Sequence, residues 1–351
     1  MMVSGAKKGE VTAYLSLIFI LFISFVGGIM ESASVQMAKN YRRADMNRAM
    51  ESVFAEYQKE LLDEYEIFAL EATYETGTYG ERNIKKRLEF YGAEGMEQSV
   101  KRLSLLTDHG GQPFLEQVAV YMEEKYGMDK VKDLTGKSAD WKTQEEEAGK
   151  YEENEKKQQG ELDQLLEENE GELPEKDNPI AHVAGLKKSS LPELVMPKGK
   201  EVSDKQMNLA DTLEYRGKRE GYGDFSDVSE GIGKLDHLLL GEYLMEHFPD
   251  ATKAGRKGDL LDYQLEYFLE GKGSDRENLE AVVKKLLMLR FVPNYIYLQG
   301  NAAKKAEAKA MALSLCAVLA VPAVTEAAAQ VILLAWAYGE SLVDIRSLLG
   351  G

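Results

Sequence analysis

Residue types that do chemistry are thinly scattered along this chain. Of the four histidines, His109, His182, His237 and His247, the last two stand ten residues apart, without the HExxH spacing that turns two imidazoles toward one metal ion. All four read as surface or core residues. Gly136-Lys137-Ser138 matches the tail of a phosphate-binding loop, yet Val131 stands where that loop needs its opening glycine, and no apolar strand precedes it. The glycine cluster Gly221-Tyr222-Gly223-Asp224-Phe225 is neither GxGxxG nor the start of a calcium loop, and it reads as a turn. No serine sits in a GxSxG elbow, and the single cysteine, Cys316, lies in an apolar run where burial makes a thiol a poor nucleophile. Carboxylates close in sequence, such as Glu60 with Asp63 and Glu64, are expected by chance in so acidic a chain and do not single out a glycosidase. The chain therefore reads as a non-enzyme, with no catalytic residues, no cofactor and no metal.

What would position such a chain is set at its N-terminus. Residues 11–30 carry no charge over twenty positions, and as a helix they would be about 30 Å long, the thickness of a bilayer's hydrocarbon core. Tyr14, Ser16, Phe19, Phe22, Ser24 and Phe25 are spread around that helix, as lipid solvation on all sides requires. The run is longer than the apolar region of a secretory signal peptide, so an anchor is the default reading, with a cut at Ser32-Ala33-Ser34 as the alternative. Lys7 and Lys8 precede the span while Lys39, Arg42, Arg43 and Arg48 follow it, a count that by itself favours an external N-terminus. The acidic body resembles an exported domain and argues the reverse, so the bulk of the chain is placed outside the cytoplasm on a single-pass anchor. Gly27 and Gly28 would allow close helix approach, and Glu31 would sit at the outer membrane edge; these three are the candidate packing residues for a homo- or hetero-oligomer formed through this helix.

Against 60 acidic residues the chain sets 43 basic ones, for a net charge of −17 spread along its length. Nucleic acid is excluded as a partner, because phosphate binding needs basic patches. A lone cysteine excludes an internal disulfide.

The rest reads as α+β, mostly helical. Met46, Ala49, Met50, Val53, Phe54, Tyr57 and Leu61 recur at helical spacing, so a stalk helix should continue outward from the span. MEQSVKRLSLL, residues 96–106, partly alternates and suggests a strand of a small sheet, and Pro113 is placed to start a helix after Gly110-Gly111. The expected organisation is a cytoplasmic tail or leader (1–10), the span (11–30), the stalk with an α+β half (31–137), an acidic flexible linker or insertion (138–205) and a helical half (206–351). Within the last, Ser274 and Glu277 have capping-box spacing ahead of the stripe Leu279, Val282, Val283, Leu286 and Leu287. The weakly charged run 310–339 competes as a second span, but Pro322 breaks it, alanine dominates it, and Glu326 sits within it, so a buried helical hairpin is expected. The closing DIRSLLGG lacks a polar end element and reads as the end of an incomplete chain.

Five stretches then resemble a known group: KKGEVTAYLSLIFILFISF, KELLDEYEIFALE (59–71), GEYLMEHF (241–248), DYQLEYFLEGKGSDRENLEAVVKKLLMLRFVPNYIYL (262–298) and ILLAWAYGESLVDIRSLLGG (332–351). They resemble an uncharacterised family of membrane-anchored proteins of Gram-positive bacteria, a domain of unknown function often found beside tight-adherence (Tad) pilus machinery, with similarity to TadE and TadG minor pseudopilins. The resemblance implies a location in the cell membrane and an association with pilus or secretion-machinery proteins, and implies no catalytic residues. An anchored ligand-binding or sensor module is the alternative, with a cell-surface hydrolase behind it. The pilin likeness also implies Gly9 as a leader-cleavage site after Lys7-Lys8, although the fifth residue after such a cut is Tyr14 and the glutamate, Glu10, comes first.

Overall fold

The structure, a computed structural model, describes residues 6–74, 80–127, 149–208, 210, 219–224, 234–253 and 255–350. It divides into two compact units, the first formed by Met1–Leu106 with Gly221–Val228 and the second by Thr107–Glu220 with Ser229–Gly351.

The first unit is organised by one long helix, α1 (Ala6–Phe54), followed by α2 (Lys59–Tyr65) and α3 (Glu81–Leu88), whose end widens into a π turn at Glu89–Ala93. At 49 residues α1 is about 74 Å long, at ~1.5 Å per residue. No proline interrupts it. Only its last part enters a core: Ala49 and Val53 are buried with Ile67 and Ala93, where α1 packs on α3 and the π turn. Arg87 ties the layers together. Its Nε donates to Glu56 Oε2 at 2.9 Å, the Tyr91 hydroxyl donates to Glu56 Oε1 at 2.6 Å, and the guanidinium lies 5.1–5.7 Å from the ring centres of Tyr74, Phe90 and Tyr91.

The small sheet expected from the sequence does not form. Among the described residues there is no strand, only three isolated antiparallel bridges: Tyr57 with Leu70, Leu103 with Tyr222, and Gln206 with Ser274. The architecture is all-helical rather than α+β. Residues 97–102 take no regular secondary structure, and Leu103 alone forms a bridge, exchanging bonds of 2.9 and 3.0 Å with Tyr222. A ladder cannot grow from there. Tyr222 is flanked by Gly221 and Gly223, and Gly223, at φ 125°, lies so close to Arg102 that a Cβ would come within 2.8 Å of its backbone.

The second unit contains α4 (Gln112–Tyr126), α5 (149–168), α6 (Pro179–Leu186), α7 (Leu191–Val195), α8 (Lys234–His247), α9 (Gln264–Glu270), α10 (Asp275–Gly300), α11 (Ala302–Leu315) and α12 (Pro322–Gly350). Proline does start α4, and Ser274 caps α10 with half of the expected capping box: its Oγ accepts from the Glu277 N–H at 3.3 Å, while the Glu277 carboxylate accepts from that hydroxyl at 2.9 Å. α4 and α8 pack through the rings of Phe114, Tyr121, Tyr243 and His247. α12 is the central helix, packed by α6, α7, α10 and α11, and Val331 to Ala335 are all buried. A helix apolar on every side needs neighbours on every side, and here protein supplies them. Ala308 and Ala312, fully buried on α11, let that helix approach closely, while Glu326 stays at the exposed edge and pairs with Lys309 at 3.0 Å.

α10 and α12 are held in register by a polar cluster. Arg290 and Asn294 both donate to Asp344 Oδ2, at 2.9–3.1 Å, and Asn294 also reaches Ser341 Oγ at 3.1 Å. The bond from Asn294 and the pair with Arg290 hold the Asp344 carboxyl below its ordinary range.

The described part of the expected acidic linker, 149–205, contains helices held by a few apolar residues. Leu162 on α5 is fully buried, and Tyr151, Leu165 and Leu166 pack against the same core. Asn178 caps α6 by accepting from Ile180 N at 3.0 Å. Residues 138–148 of that expected linker lie outside the described residues.

Candidate functional site

The candidate residues at the N-terminus all fall on the free part of α1. Gly9, Gly27, Gly28 and Glu31 are exposed, and a Cβ at any of the three glycines would meet nothing within 4 Å. The apolar residues beside them are equally open, Leu15, Phe19, Phe22 and Phe25 each between 59 and 65% exposed. Two described helices, the one containing Gly9–Phe54 and the one at Pro322–Gly350, are long and apolar enough to cross a membrane. They differ in burial. None of the most apolar window of the first is buried, whereas 67% of that of the second lies inside the protein. The first has the length and composition of a membrane anchor or a signal sequence; the second is a core helix.

The chemically suggestive residues are not brought together. Among the described residues no group of three or more His, Cys, Asp or Glu could hold a metal ion. His109 and His182 are exposed, His247 sits against the Tyr121 and Tyr243 rings, and the side chain of His237 and the whole of Gly136-Lys137-Ser138 lie outside what is described. Phe225, the last residue of the glycine cluster, lies outside it too. Asp63 and Glu64 are exposed on α2, Asp63 within 3.9 Å of Lys59. Cys316 is 1% exposed at the turn between α11 and α12, where burial pushes its thiol up despite a bond from Thr325.

What the fold does assemble is a buried polar knot at the start of α10, built from residues that match no catalytic spacing. Asp275 is fully buried. Its Oδ2 accepts from Asp262 N at 2.8 Å and Ser203 Oγ at 2.6 Å, and its Oδ1 from Tyr263 N at 3.0 Å. The Tyr263 hydroxyl accepts from Ser203 N at 2.9 Å, and Lys205 Nζ donates to Asp262 Oδ1 at 2.6 Å. Burial alone would raise the Asp262 carboxyl, but the bonds from Lys205 and Ser203 outweigh it and hold the group low. Asn278, also fully buried, clamps the preceding turn by accepting from Lys272 N at 2.7 Å and donating to Lys272 O at 3.1 Å. The arrangement joins three chain segments and satisfies their backbone groups, with no nucleophile beside a free base. The legible signal was the stretch GKGSDREN, whose Ser, Asp and Asn at a helix start are polar residues placed to bond backbone.

Glu266 on α9 is the exception to that satisfaction. It is 6% exposed, its Oε1 accepts from Ala251 N at 2.9 Å, and its Oε2 is buried without a hydrogen-bond partner. Burial, with the Asp250 and Asp275 charges nearby, pushes its carboxyl up.

Beside the knot lies an open cleft of about 520 Å³ between α7, the loop 196–204 and the facing ends of α10 and α12. Three of its four cations are engaged by their neighbours, Arg346 by the Leu194 carbonyl. Arg276 is bonded to Glu193 and Asp204, at 3.1 and 3.0 Å, and Lys200 donates to Leu349 O at 3.4 Å and Thr252 O at 3.2 Å. Lys200 thereby places a positive charge on the carbonyl end of α12, where the helix dipole favours it.

The segment from 169 to 351, which carries the knot, the cleft and α12, matches the model of DUF5702, a family of unknown function. The chain belongs to this family. None of the curated proteins and none of the solved structures matches it. In this DUF5702 protein the matched segment contains α6 to α12, among them the two longest helices after α1, and leaves α1 outside it.

Proposed function

We propose that this protein is a membrane-anchored, non-catalytic structural or assembly component, with the bulk of its chain outside the cytoplasm of a Gram-positive cell, working with a Tad-like pilus or secretion apparatus. The observation that carries the reading is the contrast within α1. Residues 11–30 expose apolar side chains on every face, while Ala49 and Val53 of the same helix are buried in the first unit. A run of that length left bare in water would be strongly unfavourable, at about 25 cal/mol per Å² of apolar surface, and lipid removes that cost. The pilus connection draws its support from the resemblance of the five stretches, including the TadE- and TadG-like N-terminus.

Protease added to intact protoplasts tests the topology. The chain beyond Glu31 is expected to be degraded without lysis, and a body that survives until the cells are broken would refute the reading. Affinity purification of the intact protein from membranes should bring down components of the apparatus.

One observation favours a second reading, an anchored ligand-binding or sensor module: the cleft at 193–204 is large enough for a small molecule. A pilus ATPase encoded beside this gene supports the first reading, and a histidine kinase there supports the second.

A further inference from the structure

The cleft beside the knot gathers positive charge that the rest of the chain lacks. Four cations line it, Lys198, Lys200, Arg276 and Arg346, against three acids, Glu193, Glu201 and Asp204, in a chain whose net charge is −17. The cations come from three segments far apart in sequence, so only folding brings them together.

What holds each cation decides what it can do. Arg276 is neutralised by Glu193 and Asp204, at 3.1 and 3.0 Å. The other three keep their charge. Arg346 donates to the Leu194 carbonyl, and Lys200 to the carbonyls of Thr252 and Leu349, neutral acceptors that orient a cation without cancelling it. A guanidinium has five N–H donors and an ammonium three, so both groups retain donors to offer. Lys198 has no hydrogen-bond or ion-pair partner among the described residues. A tight turn fixes the two lysines: the Lys200 N–H donates to Pro197 O at 3.1 Å, and Gly199, at φ 89°, takes the positive φ that glycine allows. Lys198 is left exposed at its tip while Lys200 is turned back to the end of α12. Met196, Pro197 and Val202 add apolar surface to the lining.

We propose that this cleft binds a small organic phosphate, its phosphate group taken by Lys198, Lys200 and Arg346 and its organic part lying against Met196, Pro197 and Val202. A phosphate monoester brings about two negative charges and three acceptor oxygens, enough to accept from cations arriving from separate segments, whereas a carboxylate brings a single charge. Because Lys200 and Arg346 are already held in place, binding orders less of the protein. The cavity of about 520 Å³ lies in the size range of small-molecule sites. The proposal rests on the second reading above, to which it gives a ligand class, and is independent of the pilus association.

Calorimetric titration of the full-length chain in mild detergent tests it, with phenyl phosphate, inorganic phosphate and benzoate as probes. Phenyl phosphate is expected to bind saturably at one site per chain, more tightly than inorganic phosphate, with benzoate weakest. Lys198→Gln and Arg346→Gln should each weaken phenyl phosphate by about tenfold, the loss of one bond to a charged group. Glu201→Gln, which removes the acid not spent on Arg276, should tighten it, a gain that a damaged fold would not produce. Lys309→Gln removes the same charge on α11, where Lys309 pairs with Glu326 about 30 Å along α12 from Arg346, and should change nothing. An equal loss in Lys309→Gln, no loss in Lys198→Gln, or no gain in Glu201→Gln would overturn the assignment of these residues. Benzoate binding as tightly as phenyl phosphate would overturn the phosphate class and leave the cleft as a ligand site, and no saturable heat from any probe would overturn both.

Discussion

Replacing Glu266 by glutamine should make the second unit more stable at neutral pH and remove part of its pH dependence. The carboxyl is 6% exposed and one of its oxygens has no hydrogen-bond partner, so the folded state pays in desolvation for ionising it. Its folded pKa is raised above the ordinary value of 4.5, chiefly by burial. Between the unfolded and folded values the native chain therefore binds more protons than the unfolded chain. The stability that protonated Glu266 contributes is fully present below 4.5 and is lost as pH rises through the folded value. Within that window the loss is about 1.4 kcal/mol per pH unit. Above it the loss levels off, because both the folded and the unfolded chain then carry the ionised carboxylate. Glutamine keeps an amide oxygen to accept from Ala251 N–H and carries no charge. Urea unfolding of wild-type chain and Glu266→Gln in mild detergent, followed by tryptophan fluorescence from pH 4 to 8, measures the difference directly. Because Asp250, Asp262 and Asp344 are held low and act in the opposite sense, destabilising on acidification, the comparison must be the variant minus the wild type. The two stabilities should converge near pH 4 and separate in favour of glutamine toward pH 8. Parallel curves, or a variant weaker at every pH, would refute the argument by showing that the ionised carboxylate is stabilised in place.

Other expectations follow from the same geometry. Asp275→Ala leaves the Asp262 and Tyr263 N–H groups without their acceptor, while the Ser203 hydroxyl keeps Asp262 Oδ2 at 2.9 Å; at about 1–3 kcal/mol per unmade buried bond it should lower stability by roughly 2 kcal/mol or more, read as a reduced urea midpoint, with Asp275→Asn milder. Gly223→Ala should destabilise the first unit by about 1–3 kcal/mol, since Gly223 has φ 125° and no room for a Cβ beside Arg102; hydrogen exchange at the Leu103 and Tyr222 amides should accelerate, and unchanged exchange would contradict the close approach. Cys316 should react with a maleimide only once the chain is denatured, and labelling of the native protein at the rate of a free thiol would show that the α11–α12 turn opens.

Local signals and tertiary outcomes can be separated residue by residue. The long N-terminal helix, the proline start of α4, the Ser274 cap of α10 and the break at Pro322 follow from short-range chemistry: unbroken apolar spacing, a missing N–H, a hydroxyl within reach of a backbone donor. These were legible because each is settled within one or two helical turns. The strand over 96–106 was not, because alternation gives an extended chain but a sheet needs a distant partner, and the one available is a single tyrosine between glycines. The order of residues 149–168 was hidden for a related reason. Their composition predicts solvation, and only the packed face of α12 and α10 reveals that Leu162 and its neighbours have a core to enter. Likewise no spacing rule connects Ser203, Asp262 and Asp275, separated by up to 72 residues, until folding carries one segment to the others. Apolar content alone offered two membrane helices; what distinguishes them is whether other helices surround the apolar side chains, and that is a property of the tertiary structure.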